Sequence, residues 1–142
     1  MSIWHGEFSI ESINEKGKNT MAEQIGIEFV DFGSDYLKAR MPVDYRSIQP
    51  AGILHGGASV ALAETIGSVG AYLSLDPEMF YCVGLEINAN HVRSERSGYV
   101  YGTGTPIHLG KSTQIWEIRI TNDKEQLICI SRITMAVLKK NV

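Results

Sequence analysis

The sequence predicts an α+β domain in which an antiparallel sheet wraps around one long central helix. Two observations predict it. The segment LHGGASVALAETIGSVGAYLSL, residues 54–75, is apolar, small or weakly polar on every side, and a helix apolar all round is usually enclosed by other elements. After it, four segments of strand character follow one another through short connections, which favours antiparallel pairing.

The elements follow in chain order. Residues 9–17 read as a short helix with Ile10 and Ile13 on one face. Residues 25–32 and 35–43 read as two short strands around the turn Gly33-Ser34-Asp35. Asp44 to Gly52 reads as an irregular connection, and the long helix then runs to the neighbourhood of Asp76-Pro77, where proline blocks continuation. Val83, Leu85, Ile87 and Ala89 alternate with Gly84, Glu86, Asn88 and Asn90, as on a strand with one buried face. Tyr99 to Leu109 predicts a further strand, interrupted at Pro106. Ile115 to Thr121 alternates again, and Asn122-Asp123-Lys124 turns the chain into a last, more apolar strand, Leu127 to Leu138.

The length suits one domain over residues 1–142, with the 44% hydrophobic and 20% charged content of a water-soluble protein. A formal charge of −3 gives no electrostatic reason to expect nucleic acid or an anionic membrane as partner. The N-terminal residues lack the apolar run of a signal peptide. Ala58 to Leu75, broken by Glu64 and diluted by Gly67 and Gly70, is not a membrane span. A cytoplasmic protein is expected. Cys82 and Cys129 have no metal-binding or redox spacing and are expected to pack as small hydrophobes.

Glu64 is the one charge inside the long helix. Residues three and four apart share a helix face, so Leu62, Ile66, Val69 and Leu73 make a bulky stripe expected to pack on the sheet. Gly57, Ala61, Glu64, Ser68 and Ala71 make a second stripe of small residues that leaves room for another backbone or a ligand. A buried carboxylate carries a penalty of roughly several kcal/mol unless it is paired. Glu64 therefore has either a structural partner, as an ion pair or hydrogen bond, or a task as base or nucleophile.

In QPAGILHGG, residues 49–57, three glycines precede or open the helix. A helix N-terminus presents uncommitted N–H groups suited to a carbonyl oxygen that becomes an oxyanion. Each glycine taken alone has a simpler reading as turn geometry. Together with Gln49, His55 and Glu64 the set holds donors, a proton carrier and a carboxylate, which fits acyl transfer. His91-Val92-Arg93-Ser94 and His108-Leu109-Gly110-Lys111-Ser112-Thr113 place cationic and hydroxyl groups at strand ends, where a phosphorylated ligand can be held, or where a solvated loop needs them.

The runs QPAGILHGGASVALAETIGS, GLEINANHVRS and PIHLG resemble the hotdog-fold acyl-CoA thioesterases. The likeness is to the branch that contains 1,4-dihydroxy-2-naphthoyl-CoA thioesterase and the proofreading thioesterase of enterobactin synthesis. It extends over essentially the whole chain. It implies a hotdog fold and hydrolysis of an aromatic acyl-CoA, with a role in menaquinone biosynthesis among the candidates. Glu64 would be the catalytic carboxylate, Gly56 the N–H that polarises the thioester carbonyl, Gln49 and His55 its helpers, and Ser68 a positioning group for water. Gly84, His91, Val92, Arg93, Ser94, His108 to Thr113 and Val137 would contact coenzyme A or its acyl group. It further implies a homo-oligomer, dimer or tetramer, with the site shared between subunits, no metal, and no cofactor beyond the coenzyme A of the substrate. The resemblance departs at Ala51, where members of the branch tend to carry a bulky aromatic residue. Two competing readings are a hotdog domain that binds acyl-CoA without cleaving it and a thioesterase acting on carrier-bound acyl groups. A hotdog hydratase is a third, disfavoured by the HGG ahead of the helix glutamate.

Overall fold

The computed structural model describes residues 1–141. The chain runs through α1 (Ile10–Lys16), α2 (Met21–Gln24), β1 (Glu28–Phe32), β2 (Leu37–Pro42), α3 (Gly56–Leu73), β3 (Phe80–His91), β4 (Tyr99–Leu109), β5 (Thr113–Asn122) and β6 (Leu127–Lys139). The strands form one antiparallel sheet in the order β1-β2-β4-β5-β6-β3, and α3 lies against its inner face. This is the hotdog arrangement the sequence predicts. One element is additional: α2, whose four residues are too few to show a period. β3 does not pair with β4 but crosses to the far edge and pairs with β6.

Local chemistry explains the elements. Ser9 and Ser12 form a reciprocal capping box that starts α1. Asn14 then fastens α1 to β1, donating to the Phe29 carbonyl at 2.9 Å and accepting from the Phe29 N–H at 2.8 Å. β4 does not break at Pro106. The last β2–β4 pair is Leu37 with Gly104, so Pro106 lies where β4 has no neighbour on that side, and a shift of register between Pro106 and His108 absorbs the ring.

The core is built from the inward faces of β2, β4, β5 and β6 against α3, with Leu37, Met41, Trp116, Ile118, Ile120 and Ile133 fully buried. Trp116 donates through Nε1 to Gln114, and the Gln114 amide donates to Ser74 Oγ, each at 2.9 Å. These bonds satisfy the buried polar groups and tie β5 to the end of α3. Cys129 is buried and Cys82 half-buried, and burial pushes both thiols above the ordinary range, in keeping with packing roles.

The face that α3 turns to the sheet differs from the bulky stripe. Leu62 and Ile66 are fully buried, but the other inward positions are Ser59, Ala63, Gly67, Gly70 and Ala71, while Val69 and Leu73 are only partly covered. Missing side chains set this rotation. A Cβ at Gly70 would lie 2.9 Å from the Trp116 ring, and one at Gly102 or Gly104 of β4 would lie 2.5 Å from a methyl of Ile66. The helix beds where glycines on both surfaces let it approach. Gly102→Val is therefore expected to overpack the space under Ile66 and destabilise the fold by about 1–3 kcal/mol, read as a lower urea midpoint at unchanged slope. An unshifted midpoint would show that the close approach is not needed.

Candidate active site

The first turn of α3 commits all but one of its N–H groups. His55 is the N-cap, and its Nδ1 accepts from the Gly57 N–H at 2.8 Å. The His55 carbonyl accepts from Ala58 and Ser59, and the His55 N–H donates to Ser47. Among the described residues the Gly56 N–H has no acceptor. A cap thus selects, from several terminal donors, the single N–H left to meet a ligand. The same bond makes Nδ1 of His55 an acceptor, which leaves the Nε2 side of this exposed ring as its donor.

Gln49 stands beside that donor. Its Oε1 accepts from the Ala51 N–H at 2.5 Å, and the 49–53 turn closes through Gly52 N–H to the Gln49 carbonyl. With that oxygen engaged on the turn, the Gln49 amide N–H groups are left without an acceptor among the described residues. The approach to the turn is braced too: Ser47 Oγ donates to the Pro42 carbonyl, and Arg46 beside Asp44 holds that carboxyl below the usual carboxylate range. Gln49, Gly56, His91, Val92, Arg93 and Ser94 line one pocket of about 370 Å³, together with Ile53, Leu54, Ser59 and Ile128. The pattern in the sequence did not single out Ser59, which is buried beneath the pocket one turn after His55.

Glu64 is elsewhere. It is half-buried, and its carboxylate leans over Gly84 of β3, where a Cβ would lie 2.8 Å from Oε1. No ion pair of the described residues includes it, which removes the buried salt bridge as its explanation. Eight helical steps separate Gly56 from Glu64, a rise of about 12 Å. On β3 the markers of the two places, His91 over Gly56 and Gly84 under Glu64, are seven steps apart, roughly 23 Å. One carbonyl cannot touch both in a single chain.

The remaining candidates form two further groups. His108 to Thr113 make the β4–β5 turn, closed by Gly110 N–H to the Thr113 carbonyl at 2.9 Å. Val137 joins this turn only through its N–H, which donates to the Ser112 carbonyl, because its side chain is packed in the core at 8% exposure. Ser68 lines a larger pocket of about 590 Å³ between α1–α2 and α3, along with Thr65, Val69 and Tyr72. Of that lining, the small-residue stripe pointed to Ser68 alone, because the pocket's other walls depend on the rotation of α3 and on residues far along the chain. Among the described residues, no three His, Cys, Asp or Glu side chains are placed to hold a metal ion, and no helix is long and apolar enough to cross a membrane.

The family model described as the thioesterase superfamily matches residues 51–129. The 1,4-dihydroxy-2-naphthoyl-CoA hydrolase of Escherichia coli is 51% identical over 96% of this chain and 99% of its own. The proofreading thioesterase EntH of Cronobacter turicensis is 44% identical over 96% and 98%. Among solved structures, a glutamine-to-alanine mutant of thioesterase PA1618 from Pseudomonas aeruginosa superposes with a TM-score of 0.96 at 47% identity, covering 98% of this chain and all of that one.

The packing of His91 on Gly56 has a direct test. A Cβ at Gly56 would lie 2.9 Å from His91 Nε2. Gly56→Ala is expected to displace the ring and shift the His91 imidazole NMR signals, while those of His5 and His108 stay in place. Unmoved His91 signals would disprove the contact.

Proposed function

Because the chain belongs to the thioesterase superfamily, we propose that it hydrolyses the thioester of an aromatic acyl-CoA at a site shared by two copies of itself. The observation that carries this reading is the single uncommitted N–H of the first helical turn, at Gly56, in one pocket with the oriented amide of Gln49. Two donors on a shared pocket suit the oxygen of a thioester carbonyl as negative charge develops on it. Glu64 delivers the attack, directly or through a water it deprotonates. On the water route the C–S bond then breaks and the thiolate takes up the proton that Glu64 removed. On the direct route the C–S bond breaks to leave a mixed anhydride on Glu64, which water hydrolyses, releasing the acid and supplying the proton for the thiolate.

The need for a second copy follows from the separation along β3. This strand is at the edge of the sheet, with unpaired backbone groups and exposed Tyr81, Val83 and Leu85. Antiparallel pairing of β3 with its own copy, centred between Ile87 and Asn88, sets Gly84 opposite the partner subunit's His91. That register carries Glu64 of one chain towards the Gly56 pocket of the other, twice over by symmetry. An aromatic acyl group, 1,4-dihydroxy-2-naphthoyl included, is favoured by the 51% identity to the hydrolase named for it. His91 to Ser94 and His108 to Thr113 would hold the coenzyme A portion, and a cytoplasmic setting fits such a substrate.

Glu64→Gln is expected to lower thiol release from an aroyl-CoA by about 10²- to 10⁴-fold. Full activity in that variant would remove Glu64 from the chemistry, and saturable aroyl-CoA binding by a wild type that releases no thiol would make the protein a binder. Shared sites have their own signature. Mixing inactive Glu64→Gln with inactive Gln49→Ala under exchange conditions should restore about one quarter of wild-type activity, the statistical share of intact sites across a twofold interface. No recovery on mixing would place both residues in one chain's site.

A further inference from the structure

We propose that the buried Ser59 hydroxyl is a substrate-binding group, and that its ligand is the amide two methylene groups beyond the thioester sulfur. Coenzyme A and a carrier-bound pantetheine arm both carry that amide. The inference rests on the thioesterase reading for where the thioester is held, and on Ser59 itself for what lies next to it.

Ser59 is 1% exposed, and among the described residues its hydroxyl has no hydrogen-bond partner. The other buried polar side chains are engaged. Ser47 Oγ donates to the Pro42 carbonyl, Gln114 links Trp116 to Ser74, Asn122 donates to Glu95 and Gln126, and Ser131 Oγ donates to the Asn88 carbonyl. A helical hydroxyl can also turn back to a carbonyl of the preceding turn. Thr65 does so, donating to the Ala61 carbonyl at 2.7 Å, and Ser59 does not. The carbonyl four residues before it, that of His55, already accepts from the Ala58 and Ser59 N–H groups. A buried hydroxyl left unpaired is destabilising, so this one is explained by a ligand that pairs with it.

The pocket gives the place of that ligand. Ser59 lines it together with Gly56, three residues earlier on α3, a rise of about 4.5 Å. Helical side chains lean towards the helix N-terminus, so the hydroxyl is directed back into the pocket towards the Gly56 turn. With the thioester oxygen at the Gly56 N–H, the group at Ser59 is the next polar group along the arm. In a pantetheine thioester that group is an amide about one helical turn (~5 Å) away. A seryl hydroxyl can accept from its N–H or donate to its carbonyl. Buried Leu54 and Ile128 line the same pocket and suit the methylene groups between sulfur and amide. Exposed Arg93 continues the path towards the phosphate end.

The experiment sets Ser59→Ala beside wild type on benzoyl-CoA, S-benzoyl-N-acetylcysteamine, which keeps the amide, and S-pentyl thiobenzoate, which replaces it with methylene groups. Ser59→Ala is expected to lower kcat/KM about five- to tenfold on the first two, through KM, and to leave the pentyl thioester unchanged. Its urea midpoint is expected to be equal to or above that of wild type, because an unpaired hydroxyl has been removed. An equal loss on the amide-bearing and pentyl thioesters, or no loss on any, would overturn the role of Ser59 and leave the thioesterase reading standing. A wild type that hydrolyses none of the three would overturn the reading of the reaction. In that case, NMR saturation transfer to N-acetylcysteamine from wild type, lost in Ser59→Ala, would still support the amide site, and equal transfer from both proteins would overturn it.

Discussion

The helix and the sheet meet at positions where side chains are missing, and the rest of the molecule is arranged around that contact. Gly67 and Gly70 on α3, and Gly102 and Gly104 on β4, let the Ile133, Trp116 and Ile66 side chains fill space that a Cβ would occupy. Close-packed interiors tolerate little change of volume, so the helix has one rotation in which it can lie this near the strands. That rotation turns Glu64 towards the β3 edge and leaves Val69 and Leu73 only partly covered at the margin of the core. The placement of Glu64 and the cavity between α1–α2 and α3 are both consequences of the same bedding.

Given this placement, helix geometry separates the two parts of the candidate site. The uncommitted Gly56 N–H belongs to the first turn of α3 and Glu64 to its middle, a separation fixed by the rise per residue. β3 runs past both ends of the gap, from Gly84 under Glu64 to His91 over Gly56. A strand exposed at the sheet edge is normally a liability. Here the register that sets Gly84 opposite the partner subunit's His91 would both cover the edge and bring the two halves together. The His55 cap has a comparable double role: it satisfies one terminal N–H and, by doing so, identifies Gly56 as the donor that remains.

Periodicity and composition made most of the fold readable. The all-round apolar helix and the alternating late strands gave the architecture, because burial on one side or on all sides writes directly into the pattern. The order of strands was not readable, since nothing in the alternation of residues 83–90 says whether β3 pairs with β4 or crosses to β6. Pro106 looked like a break and is accommodated because β2 has already ended, a fact of register rather than of local sequence. The site was legible as a set of residue types, Gln49, His55, Gly56 and Glu64, but not as a geometry. Val69 and Leu73 read as sheet-facing by size, and glycine pairing with Ile66 and Trp116 overrode size. A one-dimensional pattern cannot carry that contest, because the deciding atoms are on the other surface.

The chain's net charge of −3 offers no general attraction for a polyanionic coenzyme, so recognition must be local. The acidic groups near the 93–98 loop are already engaged: Glu95 accepts from the Asn122 amide, and Asp123 accepts from the Tyr99 N–H and the Tyr101 hydroxyl. Exposed Arg93 and Lys124 border the same polar pocket, and exposed Lys111 stands on the β4–β5 turn. No ion pair of the described residues includes any of the three. Hydrogen bonding within the protein thus engages these carboxylates and leaves the cations to solvent. In antiparallel pairing about β3, the end with Arg93 of one chain approaches the end with Gly84 of the other. On the proposed reading, unpaired positive charge and Glu64 would then belong to one composite site. A phosphate-bearing leaving group would be held there by charges whose field falls off within about 8–10 Å at ordinary salt, too short a reach for the overall negative charge to matter.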